Sequence, residues 1–227
     1  MILRKWDKLP PEMQTPEVKV YYDILKKRKF SLFMKRLFDI VVSLTLLILL
    51  SPIFAILAIA IKLDSKGPVF YRQTRVTRYG EKFRIFKFRS MVTDADKGSL
   101  LTVGGDSRIT KTGKIIRKFK LDELSQLIDV FRGTMTFVGT RPEVPKYVEK
   151  YTPEMLATLL LPAGITSEAS IYYKDENELL DAAEDVEKTY LEVVLPDKMK
   201  YNLAAIKSFS FIDDIKVMVL TVLAVIR

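Results

Sequence analysis

The strongest constraint on this chain is a run of 22 residues, Ile40 to Ile61, that carries no charge and holds Ser51-Pro52 at its middle. About 20 apolar residues at ~1.5 Å each suffice to cross the hydrocarbon core of a bilayer as one helix. Pro52 argues for a break. It has no N–H to donate, so the carbonyl of Ile48 loses its helical partner, and the Ser51 hydroxyl is placed to satisfy it. Split there, the arms Ile40–Ser51 and Ile53–Ile61 would measure roughly 18 and 14 Å, each short of a core of about 30 Å. Lys26, Lys27, Arg28, Lys29, Lys35 and Arg36 precede the run, and Lys62, Lys66, Arg72, Arg75 and Arg78 follow it. Basic flanks prefer the cytoplasmic face, so both ends favour the same side. Kinked spans are common, and the segment alone is compatible with either a spanning or a re-entrant helix.

The 227 residues leave room for one modest domain besides this run. No apolar stretch follows Met1, and Pro10, Pro11 and Pro16 punctuate a polar start, so no cleavable signal peptide is expected. The chain has no cysteine and no histidine, which excludes thiolate and imidazole metal sites, cysteine nucleophiles and a Ser-His-Asp triad. Any catalysis falls to carboxylates, Lys, Arg, Ser, Thr or Tyr. Charge is uneven: residues 62–120 carry a net +11 and residues 121–200 a net −8. The basic half directly follows the membrane run, where it suits inner-leaflet anionic lipids, at about 1 kcal/mol per basic residue, or a polyanionic substrate. No nucleic-acid-binding motif is visible, and no nucleic acid partner is expected.

Three regions result: a polar N-terminal arm at 1–30 with a short helix around Val18–Leu25, a membrane segment at 31–62 broken at Ser51-Pro52, and a catalytic domain at 63–227. Val69–Gln73 and the alternating segment Lys82–Arg89 read as strands, the second with a cationic face. Residues 98–105 read as a loop. Lys114–Arg132 reads as one helix with Ile116, Phe119, Leu124, Leu127, Ile128 and Phe131 on its apolar face and Gly133 as its stop. Glu176–Val194 reads as an acidic helix, and Ile215–Ile226 as an apolar tail too short to span, packed on the domain or lying at the interface.

Adjacent carboxylates occur at Asp122-Glu123, Asp175-Glu176, Glu184-Asp185 and Asp213-Asp214, and only the first lies in strongly basic surroundings, with Arg117, Lys118 and Lys120 close by. A carboxylate that attacks a phosphate meets like-charge repulsion, so it needs cations, and usually Mg²⁺, to neutralise the oxygens. A bare Asp-Glu pair on a helix is otherwise a solvated face. Lys87-Phe88-Arg89 and Arg141-Pro142-Glu143 supply further candidates, Arg as a bidentate phosphate ligand and Lys as a point charge. Gly-rich phosphate loops of Walker or Rossmann type are missing.

Residues 31–147 resemble the bacterial sugar transferases, the monotopic phosphoglycosyltransferases that move a sugar phosphate onto a polyprenyl phosphate. The likeness rests on an ordered series: Lys35-Arg36-Leu37-Phe38-Asp39, Ser51-Pro52, Gly67-Pro68-Val69-Phe70-Tyr71, Gln73 and Arg75, and Phe83 through Met91. It continues with Asp106 to Lys111, Leu121-Asp122-Glu123-Leu124, Gln126-Leu127, Val138-Gly139 and Arg141-Pro142. The resemblance implies an α+β, mostly helical fold: a re-entrant membrane helix-hairpin, a small cytoplasmic catalytic domain with amphipathic interface helices, and a short antiparallel sheet. It places the protein at the bacterial inner membrane with the catalytic domain on the cytoplasmic face. It further implies that Asp122 is the nucleophile and a Mg²⁺ ligand, that Glu123 assists, that Lys87, Arg89, Arg117 and Arg141 recognise phosphate, and that a UDP-sugar and polyprenyl phosphate are the substrates. The cytoplasmic location of nucleoside diphosphate sugars then favours re-entry at Ser51-Pro52 over spanning.

Departures from the family pattern stand at Ser125, Asp129, Thr134 and Thr140, and after Gly164-Ile165-Thr166 the usual continuation is replaced by Ser167-Glu168-Ala169-Ser170-Ile171. These leave the transferred sugar and the glycan pathway open, together with whether the chain forms a homo-oligomer. The alternative to an enzyme is a non-catalytic membrane-surface adaptor whose basic half binds anionic lipids.

Overall fold

The structure, a computed structural model, describes residues 1–93, 108–173, 179–180, 183 and 185–226. The loop expected at 98–105 lies outside these residues, as do Asp175-Glu176 and Glu184. Helix α1 (Pro16–Lys27) is N-capped by Thr15 and carries Val18, Tyr21, Tyr22 and Leu25 at helical spacing, all buried. They pack with Leu159, Leu160, Leu203 and Ile206 in one core cluster. The segment read as a polar arm is therefore a wall of the folded domain. Its polarity is confined to the outward face of an amphipathic helix.

Helices α2 (Lys29–Leu49) and α3 (Ser51–Asp64) form the apolar pair, bent by 61° at Leu50. Among the described residues no single helix is long and apolar enough to cross a membrane, whereas this bent pair passes that test of length and composition together. At the bend the Ser51 hydroxyl donates to Ile48 O at 2.8 Å, taking the carbonyl that Pro52 cannot. Phe33, Val41, Ile48, Leu49, Ile56 and Leu63 are exposed along the pair.

The base of α2 is keyed into the domain. Lys35 Nζ donates to Val138 O at 2.6 Å and pairs with Asp214 Oδ2 at 2.7 Å, and Asp39 accepts from the Thr136 hydroxyl and the Phe137 N–H. Arg36 donates to Val130 O and Phe131 O, carbonyls at the C-terminal end of a helix.

Strands are short. β1 (Phe70–Tyr71) pairs antiparallel with β4 (Lys87–Phe88), and β2 (Thr74–Val76) with β3 (Lys82–Arg84). The strand expected over Lys82–Arg89 is thus two strands, broken at Ile85-Phe86, where Asp129 Oδ2 accepts the Phe86 N–H. A third pair corrects the expectation of antiparallel pairing alone: β5 (Met135–Val138) runs parallel to β6 (Ala163–Thr166). At this crossing the backbones touch, and a Cβ on Gly164 would lie 2.2 Å from the Gly139 nitrogen. The connection between them holds α6 (Pro145–Val148) and a 3-10 turn, Met155–Leu160.

The single helix expected over Lys114–Arg132 is three pieces. Helix α4 (Lys111–Lys118), N-capped by Thr110, ends before Lys120, which adopts a left-handed conformation at φ 52°. A 3-10 turn, Leu121–Gln126, follows, and then α5 (Leu127–Arg132), closed by Gly133. Phe119 and Phe131, expected on the apolar face, are exposed.

Beyond α7 (Glu168–Tyr172), residues 176–178, 181–182 and 184 of the acidic helix expected over Glu176–Val194 lie outside the described residues; Leu179 and Leu180 are helical, whereas Ala183 and Asp185 are not. Helix α8 (Val186–Thr189) starts at an Asp185 cap, passes through a π-turn at Tyr190–Val194, and continues as α9 (Leu195–Lys207). The C-terminal helix α10 (Phe211–Ile226) packs on α2 through Phe211 and Phe38, leaving Val219, Leu220, Val222 and Leu223 exposed.

Candidate active site

Apolar packing aims the Asp122-Glu123 pair. In a 3-10 turn residues three apart eclipse, so Leu121 and Leu124 fall on one side of the turn Leu121–Gln126. Both pack on a cluster formed by Leu57 and Ile61 of α3, Phe88 of β4 and Ile116 of α4. Phe54 and Phe70 flank Phe88 with ring centroids 5.3 and 5.1 Å away. Each buried ring or branched side chain is worth about 1.5–3 kcal/mol, enough to hold one left-handed residue, which costs roughly 1–2 kcal/mol. A continuous α-helix would not eclipse the two leucines. The break at Lys120 is what turns both carboxylates away from that cluster.

They meet two cations from separate elements. Lys87 on β4 alternates with the buried Phe88, so its ammonium emerges on the opposite face. It lies 3.7 Å from Asp122 Oδ2 and 3.2 Å from Glu123 Oε1. Arg141 follows β5, and its Nη2 donates to Glu123 Oε1 at 2.7 Å. Arg117 on α4 adds a positive charge that favours the ionised form of Asp122. The structure therefore brings together Asp122, Glu123, Lys87, Arg117 and Arg141.

Arg89 goes elsewhere. Its guanidinium is buried and donates to Lys66 O, Ser65 O, Ser65 Oγ and Ile61 O, the carbonyl end of α3. Its two terminal nitrogens close the C-terminus of α3 while its buried Nε has no hydrogen-bond partner among the described residues, so Arg89 supports the site from below and is not among the groups facing the dyad. Ser51 and Pro52 stand at the bend between α2 and α3, apart from this cluster.

The two carboxylates are electrostatically unlike. Burial pushes the Asp122 carboxyl above its ordinary range; Lys87 opposes that shift and the neighbouring Glu123 adds to it. Burial also acts on Glu123, but the ion pairs with Arg141 and Lys87 outweigh it and hold this carboxyl well below its usual value. Glu123 is a fixed anion, while Asp122 is a partly buried carboxylate whose closest cation among the described residues is 3.7 Å away. Such imbalance suits Asp122 to attack and Glu123 to orient Lys87 and Arg141.

Sequence reasoning missed two sets of supporting residues. Asp129 fixes Phe86, and with it the start of β4 that carries Lys87; Lys35 and Asp39 fix β5, which leads into Arg141, and Arg36 holds the end of α5. A signal existed: charges spaced i, i+4 at the edge of an apolar run must find partners.

Comparison with known proteins identifies the family. Residues 30–227 match the family described as bacterial sugar transferase. The chain is 37% identical, over 83% of its length, to a UDP-glucose:undecaprenyl-phosphate glucose-1-phosphate transferase of Klebsiella pneumoniae, of which it covers 39%. It is 32% identical, over 84% of its length, to a UDP-N-acetylgalactosamine-undecaprenyl-phosphate N-acetylgalactosaminephosphotransferase of Aeromonas hydrophila, of which it covers 43%. A third relative, a UDP-glucose:undecaprenyl-phosphate glucose-1-phosphate transferase of Caulobacter vibrioides, is 33% identical over 83% of the chain, which covers 68% of it. The chain thus spans less than half the length of the first two.

Proposed function

The chain belongs to the bacterial sugar transferase family, and from that membership we propose that it transfers a sugar 1-phosphate from a UDP-sugar to polyprenyl phosphate, the first membrane step of a surface glycan. The observation that carries this reading is the pairing of an under-neutralised Asp122 with a Glu123 locked between Lys87 and Arg141.

The chemistry follows in two displacements. An Asp122 carboxylate oxygen attacks the phosphorus that bears the sugar; the bond from that phosphorus to the bridging oxygen breaks, and UMP leaves with the electron pair. A phosphate oxygen of polyprenyl phosphate then attacks the same phosphorus, the aspartyl–phosphorus bond breaks, and polyprenyl diphosphate sugar departs as Asp122 is regenerated. Lys87, Arg117 and Arg141 offset the negative charge that would repel the attacking carboxylate. Burial of Asp122 leaves it less hydrated and a better nucleophile once ionised.

A divalent cation fits this donor set. Mg²⁺ is held by one or two carboxylates together with substrate phosphates and water, and no cluster of three or more acidic ligands occurs among the described residues. Asp122 would hold it with the diphosphate, Glu123 being committed to Arg141 and Lys87. When bound, the ion would supply neutralisation of the diphosphate oxygens.

In this reading α2 and α3 enter and leave the cytoplasmic leaflet of the bacterial inner membrane as a re-entrant hairpin. Several observations support it: the 61° bend, the exposed apolar side chains of the pair, and basic residues at both ends. Anionic lipids would assist docking. The test is purified protein with Mg²⁺, polyprenyl phosphate and a panel of UDP-sugars. UMP release that disappears in Asp122→Asn is expected; liposome binding with no release for any UDP-sugar would favour the adaptor reading.

A further inference from the structure

Arg141 touches Glu123, and the start of the loop it stands on is fixed by β6, where the Gly139 N–H donates to Thr166 O and the Gly164 N–H donates to Thr140 O, both at 2.9 Å. That loop is held from behind. Arg75 Nη1 donates to Pro142 O at 3.1 Å, and Arg75 Nη2 to Gln73 Oε1 at 2.6 Å. The Val76 N–H donates to Glu143 O at 2.9 Å, extending β2 onto the loop. The Glu143 side chain turns inward, is buried, and accepts from the Tyr190 hydroxyl at 2.6 Å. Tyr190 is itself buried, its ring 5.0 Å from that of Tyr147.

Tyr190 opens the π-turn Tyr190–Val194. Pro196 has no N–H for the Glu192 carbonyl, and its ring crowds that carbonyl, so the preceding turn widens. An α-helical path through these residues would rotate Tyr190 relative to the body of α9. The wide turn lets Tyr190 face Glu143 while Leu195, Met199 and Leu203 keep their buried faces.

We propose that Tyr190 is a positioning residue for the transfer reaction: through Glu143 it sets the loop that carries Arg141, and through Arg141 it sets Glu123. The inference rests on the transferase reading given above. The polar chain that carries it runs from the π-turn through Tyr190, Glu143, Pro142 and Arg141 to the dyad, each member supported by a hydrogen bond or by adjacency in sequence. A buried carboxylate in the site's own loop needs a partner, and a phenol supplied from a distorted helix is a costly way to provide one unless its placement matters.

Tyr190→Phe keeps the ring packing and removes only the hydroxyl. Catalytic efficiency for UMP release should fall about tenfold, mainly through the KM for the UDP-sugar. In an Arg141→Gln background the same change should cost less than about twofold, because both act through one path. Hydrogen exchange of the free protein should quicken at residues 139–149 and remain unchanged in α1 and α2. Glu143→Gln, which keeps an acceptor for the phenol, should preserve protection of that loop. Equal losses in the two backgrounds would mark Tyr190 as merely structural and overturn the proposal, as would unaltered exchange at 139–149. The exchange measurement needs no substrate, so it decides the proposal even if the wild type releases no UMP, an outcome that would count against the transferase reading alone.

Discussion

Two regions of this protein bury ionic groups, and they do so differently. At the base of α2 each charge is matched: Lys35 by Val138 O and Asp214, Asp39 by Thr136 and the Phe137 N–H, Arg36 by two carbonyls. At the dyad Glu123 has two cations, and Asp122 has Lys87 at 3.7 Å. A cluster in which each group is held by a specific partner is a fastening. An unsaturated one keeps a group in a high-energy state that a substrate can relieve.

The sharpest way to break this contrast is Asp122→Asn. Turnover should fall on the order of 10⁴-fold, measured as UMP release, while thermal unfolding stays level or shifts upward because a poorly compensated buried charge is gone. A large loss of stability would place Asp122 with the fastenings. The converse substitution is Asp214→Ala, which strands the buried Lys35 ammonium and should cost roughly 3–5 kcal/mol in unfolding free energy, whereas Lys35→Met with Asp214→Leu should recover most of it. If the double variant is as unstable as the single one, the pair contributes more than mutual neutralisation.

The pH dependence sharpens the contrast within the dyad. In the proposed mechanism Asp122 attacks only when ionised, and its carboxyl is shifted up, so the acid limb of turnover should lie above the range of an ordinary aspartate; Lys87→Met should move it higher still. Glu123 is shifted down in the folded protein. Its contribution to stability is therefore present above its unfolded value of about 4.5 and is lost as pH falls below that. Acid unfolding of Glu123→Gln should accordingly show a shallower loss over that window. The smallest effect is expected at the bend, where Ser51→Ala leaves the Ile48 carbonyl without its 2.8 Å hydroxyl and should cost about 1 kcal/mol.

Much of the site was legible in sequence because its residues sit in short ordered motifs: Asp122-Glu123, Lys87 and Arg141 converge. The place of Arg89 is less legible because a motif places a residue in the chain without saying which way its side chain turns, and its guanidinium closes α3. The break at Lys120 escaped because residues 114–132 keep an apolar repeat that an α-helix and a 3-10 turn share at i, i+3; only the position of Phe88 and Leu57 selects between them. Residues 1–30 looked like an arm because four buried residues of α1 are diluted by its charged outer face, and their partners, Leu160 and Ile206, lie far away in the chain. Parallel pairing of β5 with β6 is likewise a long-range event that local alternation does not encode.

The Gly139–Gly164 crossing carries a consequence for how this site can diversify. A side chain at Gly164 would meet Gly139 backbone atoms at 2.2 and 2.3 Å, so the strands could admit it only by moving apart. Gly139 stands two residues before Arg141, and such a separation would carry the guanidinium away from Glu123. The crossing therefore acts as a ratchet: neither glycine can be exchanged one mutation at a time without passing through a protein in which Arg141 and Glu123 no longer meet.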